Sequence, residues 1–339
     1  MRVLSLFDGI SCAFVALQRA GVPITSYHAS EICPHAITIS KLQHPSIVHL
    51  GDVKTVKNQP CDLLIGGSPC QDLSVAKQGR EGLAGERSGL FYEFVRIWKE
   101  SKPRYFLLEN VASMKKVDRD AITAVMDVAP IMIDASLVSA QSRKRLFWTN
   151  IPVKSQPSDR GLTLKDILQP EVDPKYFTNA KWVPTEEGKR VVGHVNGNTA
   201  QANRIYDTNG KSPTLSALGG GLGGKTGLYA IGRDIGRRLD EHGTRKDADN
   251  TIEYQRRIET RSDGKSGTLT SVTKDNLVVS PTAVRRLTPV ECERLQGLPD
   301  GYTEGISDTQ RYKCVGNGFN VDVVAHILRH ILPGADASP

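Results

Sequence analysis

No apolar run in the 339-residue sequence approaches the roughly 18 residues needed to span a bilayer as a helix. The first residues lead straight into strand-like sequence, so no signal peptide is predicted and a cytoplasmic protein is expected. The six cysteines, at positions 12, 33, 61, 70, 292 and 314, contain no C-x-x-C pair. Neither a zinc site nor a disulfide framework is therefore indicated. His326 and His330 stand four apart on a predicted helix, but Ile-Leu-Arg lies between them, without the glutamate of a zincin. No metal site is predicted. An acidic excess is also missing: Lys and Arg outnumber Asp and Glu by 44 to 37, a net charge of +7 that suits a polyanionic partner. What remains is a chain with 39% hydrophobic residues, long enough for two ordinary domains.

The most informative stretch is Asp62 to Ser74. Asp62 to Ile65 reads as a buried parallel strand, Gly66-Gly67 is expected to end it, and Pro69 stiffens the backbone ahead of Cys70. Polar residues follow Cys70, which favours an exposed nucleophile over a small core residue. Val3 to Phe7 predicts a first strand, followed by Asp8-Gly9-Ile10-Ser11 and an apolar helix, a strand–turn–helix cradle of the dinucleotide type. Tyr27 to Glu31 predicts a second strand ending in an acid, and Gly51-Asp52-Val53 places another acid at a third strand end. Residues 71–88 read as a mobile glycine-rich loop, and Leu90 to Trp98 repeat apolar residues at helical spacing. Tyr105 to Leu108 ends in Glu109-Asn110-Val111. Gln141-Ser-Arg143-Lys-Arg145 comes later, with its arginines two apart and so on one face of a strand.

Pro-Cys-Gln, Glu-Asn-Val and Gln-x-Arg-x-Arg, in that order, resemble the catalytic signature of the DNA cytosine-5 methyltransferases. Arg285-Arg-Leu-Thr-Pro-Val-Glu291 and Gly316-Asn317-Gly318 resemble two further blocks of that family, although the usual Gly-Asn-Ser is Gly-Asn-Gly here and Ser11 replaces a usual glycine. The resemblance implies an α/β fold: a Rossmann-like S-adenosylmethionine-dependent domain with a smaller, glycine-rich, mostly β or irregular target-recognition domain. It implies Cys70, Glu109, Arg143 and Arg145 as catalytic residues. Cys70 would add to cytosine C6, Glu109 would protonate N3, and the arginines would hold the base O2 and a phosphate. It further implies cofactor binding by Phe7, Asp8, Gly9, Ile10, Glu31, Ile32, Asp52, Val53, Pro69, Leu90 and Asn317. The substrate implied is double-stranded DNA with the target base flipped out. A monomer is expected, of bacterial or phage type, and any cognate restriction endonuclease would not be required for activity.

Two domains follow: residues 1–150 for catalysis and cofactor binding and 151–306 for target recognition, with a C-terminal segment, 307–339, returning to the first. Residues 151–284 hold 16 of the 31 glycines. A weak internal repeat lies within them, Arg204 to Leu215 against Arg257 to Leu269. Each copy predicts a hairpin with Lys211 or Lys265 beside its Asn-Gly or Asp-Gly tip. One version has both lysines facing DNA; the other has Ile205, Leu215, Ile258 and Leu269 as a small core. Competing functions are an RNA cytosine-5 methyltransferase, an inactive DNA-binding relative, or a nicotinamide oxidoreductase. The RNA enzymes' Cys-Phe-Thr element is missing, Cys70 and Glu109 are both present, and only one weak glycine turn favours the oxidoreductase.

Overall fold

The computed structural model describes residues 1–69, 88–178, 182–184, 191–195, 204–215, 228–230, 233–237, 255–259 and 284–332. Cys70, the loop through Arg87 and the second repeat copy beyond Glu259 lie outside the described residues. The chain forms two compact units, one of Met1–Leu168, Lys211–Gly220 and Pro289–Pro339, the other of Gln169–Gly210 and Gly221–Thr288.

The first unit is built on a seven-stranded sheet of β1 (Arg2–Leu6), β2 (Ser26–Ser30), β3 (Val48–His49), β4 (Leu63–Gly67), β5 (Tyr105–Val111), β6 (Ile131–Asp134) and β7 (Lys144–Thr149). Their order is β3-β2-β1-β4-β5-β7-β6, parallel throughout except for the two pairings of β7. Leu63, Leu64 and Ile65 are each 0% exposed, which is why β4 reads as a continuous apolar run. On one face, Leu4, Leu6, Leu64, Phe106, Leu108, Leu146 and Trp148 pack with α3 (Phe91–Ser101) and α4 (Lys116–Met126). On the other, Glu109, Arg145 and Phe147 line a pocket with Val323 and Val324 of α7 (Val321–Arg329). Helix α7 packs on α1 (Cys12–Ala20); α2 (Pro34–Gln43) lies near α6 (Asp308–Asn317), which packs on α5 (Pro289–Gln296).

The strand ends on Gly66-Gly67, which are the last two residues of β4. A Cβ on Gly66 would sit 2.9 Å from the Leu6 carbonyl and 3.2 Å from the Phe94 ring, and one on Gly67 would meet the opposite face. Crowding on both sides, and not a turn, is what requires the pair.

The unit boundary also falls later than residue 150. Ile151, Leu164 and Ile167 are buried, Arg160 donates its N–H to the Leu137 carbonyl (2.8 Å), and Arg294 donates to the Ile167 carbonyl (2.9 Å). These ties hold residues 151–168 to the first unit, and the return begins at Pro289.

The second unit contains a six-stranded sheet in the order β8-β15-β12-β11-β10-β9, from β8 (Phe177–Thr178), β9 (Trp182–Pro184), β10 (Val191–Val195), β11 (Arg204–Tyr206), β12 (Leu228–Ala230) and β15 (Val284–Arg285). Strands β13 (Arg233–Arg237) and β14 (Gln255–Glu259) form a separate antiparallel pair. Ile205 and Tyr206 are buried at 0% and 3% exposure.

The first repeat copy is not a hairpin. After β11 and a turn closed by Gly210 N–H on the Asp207 carbonyl, residues 211–215 belong to the first unit and run beside Gln141 to Arg143. Ser142 and Ser212 supply the backbone bonds, at 2.9 Å to the Ser212 carbonyl and 2.7 Å to the Ala140 carbonyl. Lys211 does not face outward: its Nζ donates to the Ser136 carbonyl at 2.7 Å and to the Ser139 carbonyl at 3.3 Å. This copy is architectural, with Leu215 also buried.

Candidate active site

The strand order reverses between β1 and its neighbours β2 and β4, and ligands of open α/β sheets bind at the carboxyl ends of strands beside such a switch point. The chain leaves β1 through three left-handed residues, Phe7, Gly9 and Ser11, at φ 56°, 60° and 61°. For Phe7 and Ser11 that conformation costs roughly 1–2 kcal/mol each. Asp8, between them, holds the turn. Its N–H donates to the Ser30 carbonyl at 3.1 Å, and its carboxyl accepts from Tyr27 and Ser11, both at 2.6 Å. Burial pushes the Asp8 carboxyl above its ordinary range, the Ser11 hydrogen bond opposing. The Ser11 hydroxyl also meets Ser40 at 2.7 Å, so serine fills a position whose φ suits glycine by hydrogen-bonding locally.

Glu31 follows β2 and folds back on this turn. One oxygen accepts the Gly9 N–H and the other accepts those of Ile32 and Cys33, all at 2.8 Å. Asp52 is exposed beyond β3, and its carboxylate accepts the Lys54 N–H at 3.0 Å. Ile32 is 69% exposed, an unusual state for isoleucine, while Phe7 and Leu90 are half-buried against the core cluster of β1, β4 and α3. Asn317 is exposed at the end of α6. Above Gly9 the space is open, with nothing within 4 Å of an added Cβ.

This donor set suits an adenosine cofactor: apolar faces for a base, carboxylates for hydroxyl and amino donors, and an open glycine turn. Asp8, Ile10 and Val53 differ from the expectation in one respect. The whole residues are buried at 5%, 0% and 5% exposure, and main-chain groups of each are already bonded. The Asp8 N–H donates to the Ser30 carbonyl, the Ile10 carbonyl accepts from Tyr302 Oη at 2.8 Å, and the Val53 carbonyl accepts from Arg96 at 3.1 Å.

The second cluster lies on β5 and β7. Gly67, Glu109 and Phe147 are register partners across three strands, so their side positions share one face, and Arg145 stands two residues before Phe147 on that face. Arg145 Nε contacts Glu109 Oε1 at 2.7 Å, in a pair whose side chains are 14% and 15% exposed. A Cβ on Gly67 would lie 2.9 Å from Glu109 Oε2 and 2.8 Å from Phe319 Cε1. The carboxylate and the ring therefore share the space a side chain would take.

Asn110, on the opposite face, joins this acid to the turn before Cys70. Its Nδ2 donates to Ser68 Oγ (3.1 Å) and to the Ser68 carbonyl (3.3 Å), and its Oδ1 accepts the Val111 N–H (2.8 Å). Pro69, half-buried, is the last described residue before Cys70.

Arg143 stands one residue before β7, which begins at Lys144, and lines the same pocket as Glu109 and Arg145. It is 4% exposed, and its guanidinium donates to the carbonyls of Leu215 (3.3 Å), Gly316 (3.2 Å) and Gly318 (3.1 Å).

Reading the sequence missed Asn110, Phe319 and Cys12. The signal for Asn110 was its place inside Glu-Asn-Val, and for Phe319 its place directly after Gly-Asn-Gly. Cys12 Sγ would lie 2.8 Å from a Cβ on Gly318, so the thiol occupies the space a serine would need there. Burial pushes that thiol up to about 12, which leaves it un-ionised packing. Among the described residues no cluster of metal-ligating side chains occurs, and no helix is long and apolar enough to cross a membrane.

The family model described as C-5 cytosine-specific DNA methylase matches residues 1–333. Orphan methyltransferase M.SPRI of Bacillus phage SPR is 28% identical, covering 98% of this chain and 97% of the phage protein. Type II methyltransferase M.HhaI of Haemophilus parahaemolyticus is 24% identical, covering 98% and 94%. Among solved structures, the Entamoeba histolytica methyltransferase EhMeth superposes with a TM-score of 0.66 at 14% identity, covering 98% of this chain and 97% of that one. The S. pombe Dnmt2 methyltransferase gives 0.60 at 18%, covering 96% of each. These likenesses identify the fold of the S-adenosylmethionine-dependent methyltransferases.

Proposed function

Because the chain belongs to the C-5 cytosine-specific DNA methylase family, we propose that it transfers a methyl group to C5 of a flipped-out cytosine in double-stranded DNA, through a covalent adduct of Cys70 with C6. DNA cytosine methylation is the activity of the family, and the chain is a DNA (cytosine-5) methyltransferase. The finer reading rests above all on the Glu109–Arg145 pair, set beside the Gly67-Ser68-Pro69 turn that leads into Cys70.

Cytosine C5 is too weak a nucleophile to accept a methyl group unaided. Addition of the Cys70 thiolate to C6 makes the ring enamine-like and moves electron density to C5. That addition is assisted by a proton on N3, which Glu109 is placed to deliver. Arg145 holds Glu109 in the free protein; exchanging that contact for the base O2 would free the carboxyl to face N3. Asn110 fixes the height of the Ser68-Pro69 turn and hence the approach of Cys70. S-adenosylmethionine, when bound, supplies the electrophilic methyl group.

Phe7, Ile32 and Leu90 would pack on its adenine, Gly9 and Pro69 would line the pocket, and the buried Asp8, Ile10 and Val53 would shape it from behind. Glu31 would take the ribose hydroxyls, Asp52 the adenine amine, and Asn317 would close the site. Residues between Ile151 and Val284 would read the target, with the protein acting as a monomer and without a cognate endonuclease.

Bisulfite sequencing of DNA from an expressing host tests this reading. Wild type should leave 5-methylcytosine at one short sequence, and Glu109→Gln should lose about a hundredfold or more in rate, the usual scale for a general acid. An unmodified host genome under wild-type expression would overturn it.

A further inference from the structure

We infer that Arg143 is a positioning residue for the cofactor-closing turn at Gly316 to Gly318, and makes no contact with the target base. This inference rests on the cofactor role proposed above for Asn317.

The root of Arg143 is fixed first. Its N–H donates to Asp134 Oδ1 at 2.8 Å and its carbonyl accepts the Ala135 N–H at 3.1 Å, so the backbone is clamped to the end of β6. The side chain then runs inward, and one nitrogen, Nη2, bonds the carbonyls of both Gly316 (3.2 Å) and Gly318 (3.1 Å). Those residues flank Asn317, which is exposed while both of its neighbours are buried. The last carbonyls of a helix have no intrahelical donor and carry partial negative charge. A buried guanidinium is the one protein cation whose fork can meet several of them at once without losing its charge.

Gln296 reinforces the clamp. Its Nε2 donates to the Val315 carbonyl at 2.8 Å and to the Gly318 carbonyl at 3.1 Å. Gly318 thus receives two side-chain donors, and Asn317 is the exposed residue between two buried glycines. Nη1 of Arg143 meanwhile holds the Leu215 carbonyl, binding the segment that runs beside Gln141 to the same cation. Arg145 lines the same pocket but is the contrast in its partners: half-buried and paired with Glu109, it is placed for the base, whereas the Arg143 guanidinium is engaged by carbonyls.

Calorimetric titration of S-adenosylmethionine, with affinity for 5-fluorocytosine duplex DNA measured in parallel, separates the two roles. Arg143→Lys keeps the charge but cannot span the three carbonyls. It should weaken the cofactor by about tenfold or more, as loss of one to two buried hydrogen bonds implies, with DNA affinity unchanged. Arg145→Lys should do the reverse. Asn317→Ala should weaken the cofactor as well, and adding Arg143→Lys to it should cost nothing further, because a residue acting through Asn317 is non-additive with it.

If Arg143→Lys does not fold, Gln296→Met carries the test, since it removes a neutral donor from the same turn and should move cofactor affinity in the same direction. Wild-type cofactor affinity retained in whichever variant folds, or DNA affinity lost with cofactor affinity intact, would overturn the inference. Failure of the wild-type protein itself to bind S-adenosylmethionine would instead overturn the cofactor reading on which it rests.

Discussion

Gly67→Ala adds one methyl group at the most crowded point of the site. The new Cβ would stand 2.8 Å from Phe319 Cε1, 3.4 Å from Phe319 Cζ and 2.9 Å from Glu109 Oε2. Real Cβ contacts are not that short, so either the ring or the carboxylate must move by several tenths of an ångström. The ring is attached immediately after the Gly316–Gly318 turn, and the carboxylate is held by Arg145 at 2.7 Å. Overpacking of this kind costs roughly 1–3 kcal/mol, which in a chain of this size lowers Tm by a few degrees. The functional loss should be larger, because misplacing a catalytic group by about 1 Å can cost on the order of a hundredfold in rate.

Gly66→Ala is the matched control. Its Cβ would meet the Leu6 carbonyl at 2.9 Å and the Phe94 ring at 3.2 Å, on the face away from Glu109. Transfer of labelled methyl groups to genomic DNA, measured well below each variant's Tm, should show kcat reduced severely in Gly67→Ala and mildly in Gly66→Ala. Equal kcat for the two variants at matched folded fraction would refute the claim that Gly67 is reserved for the acid and Phe319.

Arg2 and Asp62 form an exposed pair at 2.8 Å, and hydrogen bonding from Arg2 holds the Asp62 carboxyl down at about 2. A depressed carboxylate contributes stability above its unfolded value that is lost as pH falls through its folded one. Arg2→Ala should therefore lower neutral stability by a small amount, screened because the pair is exposed, flatten the profile between about pH 4 and pH 2, and leave stability below about pH 2 nearly unchanged. Acid titration followed by circular dichroism reads this directly, and an unchanged acid limb would contradict it. Lys211→Ala should lower stability by about 1–2 kcal/mol, the scale of its partly buried bonds to two carbonyls. It should leave the salt dependence of DNA binding unaltered; a slope reduced by about one would instead place the lysine on a phosphate.

Much of this site was legible as local pattern. Glu31 and Glu109 were found because each follows or ends a short apolar run, and such runs become the strands whose carboxyl ends carry ligands. The helix over Phe91 to Ser101 declared itself by spacing alone.

The failures share a cause: the deciding partner was distant in sequence. Asn209-Gly210 is a good local hairpin signal, but the segment after it pairs with Gln141 to Arg143, about seventy residues away, and no turn dipeptide encodes that choice. Parity brings Arg143 and Arg145 to one pocket, but it does not reveal the distant carbonyls of Leu215, Gly316 and Gly318 that engage the Arg143 guanidinium. Gly66-Gly67 does close β4 as the sequence suggests, but only the packing of Leu6, Phe94, Glu109 and Phe319 shows why side chains are excluded there.

The central claim is that Cys70 becomes covalently bonded to cytosine C6. Full-length protein mixed with S-adenosylmethionine and duplex DNA containing 5-fluorocytosine should form a denaturation-resistant complex, because fluorine at C5 cannot leave as a proton does. Peptide mass spectrometry should place the adduct on the peptide carrying Cys70, and Cys70→Ser should form none. No adduct on DNA that the wild type methylates, or an adduct at any other cysteine, would contradict the account.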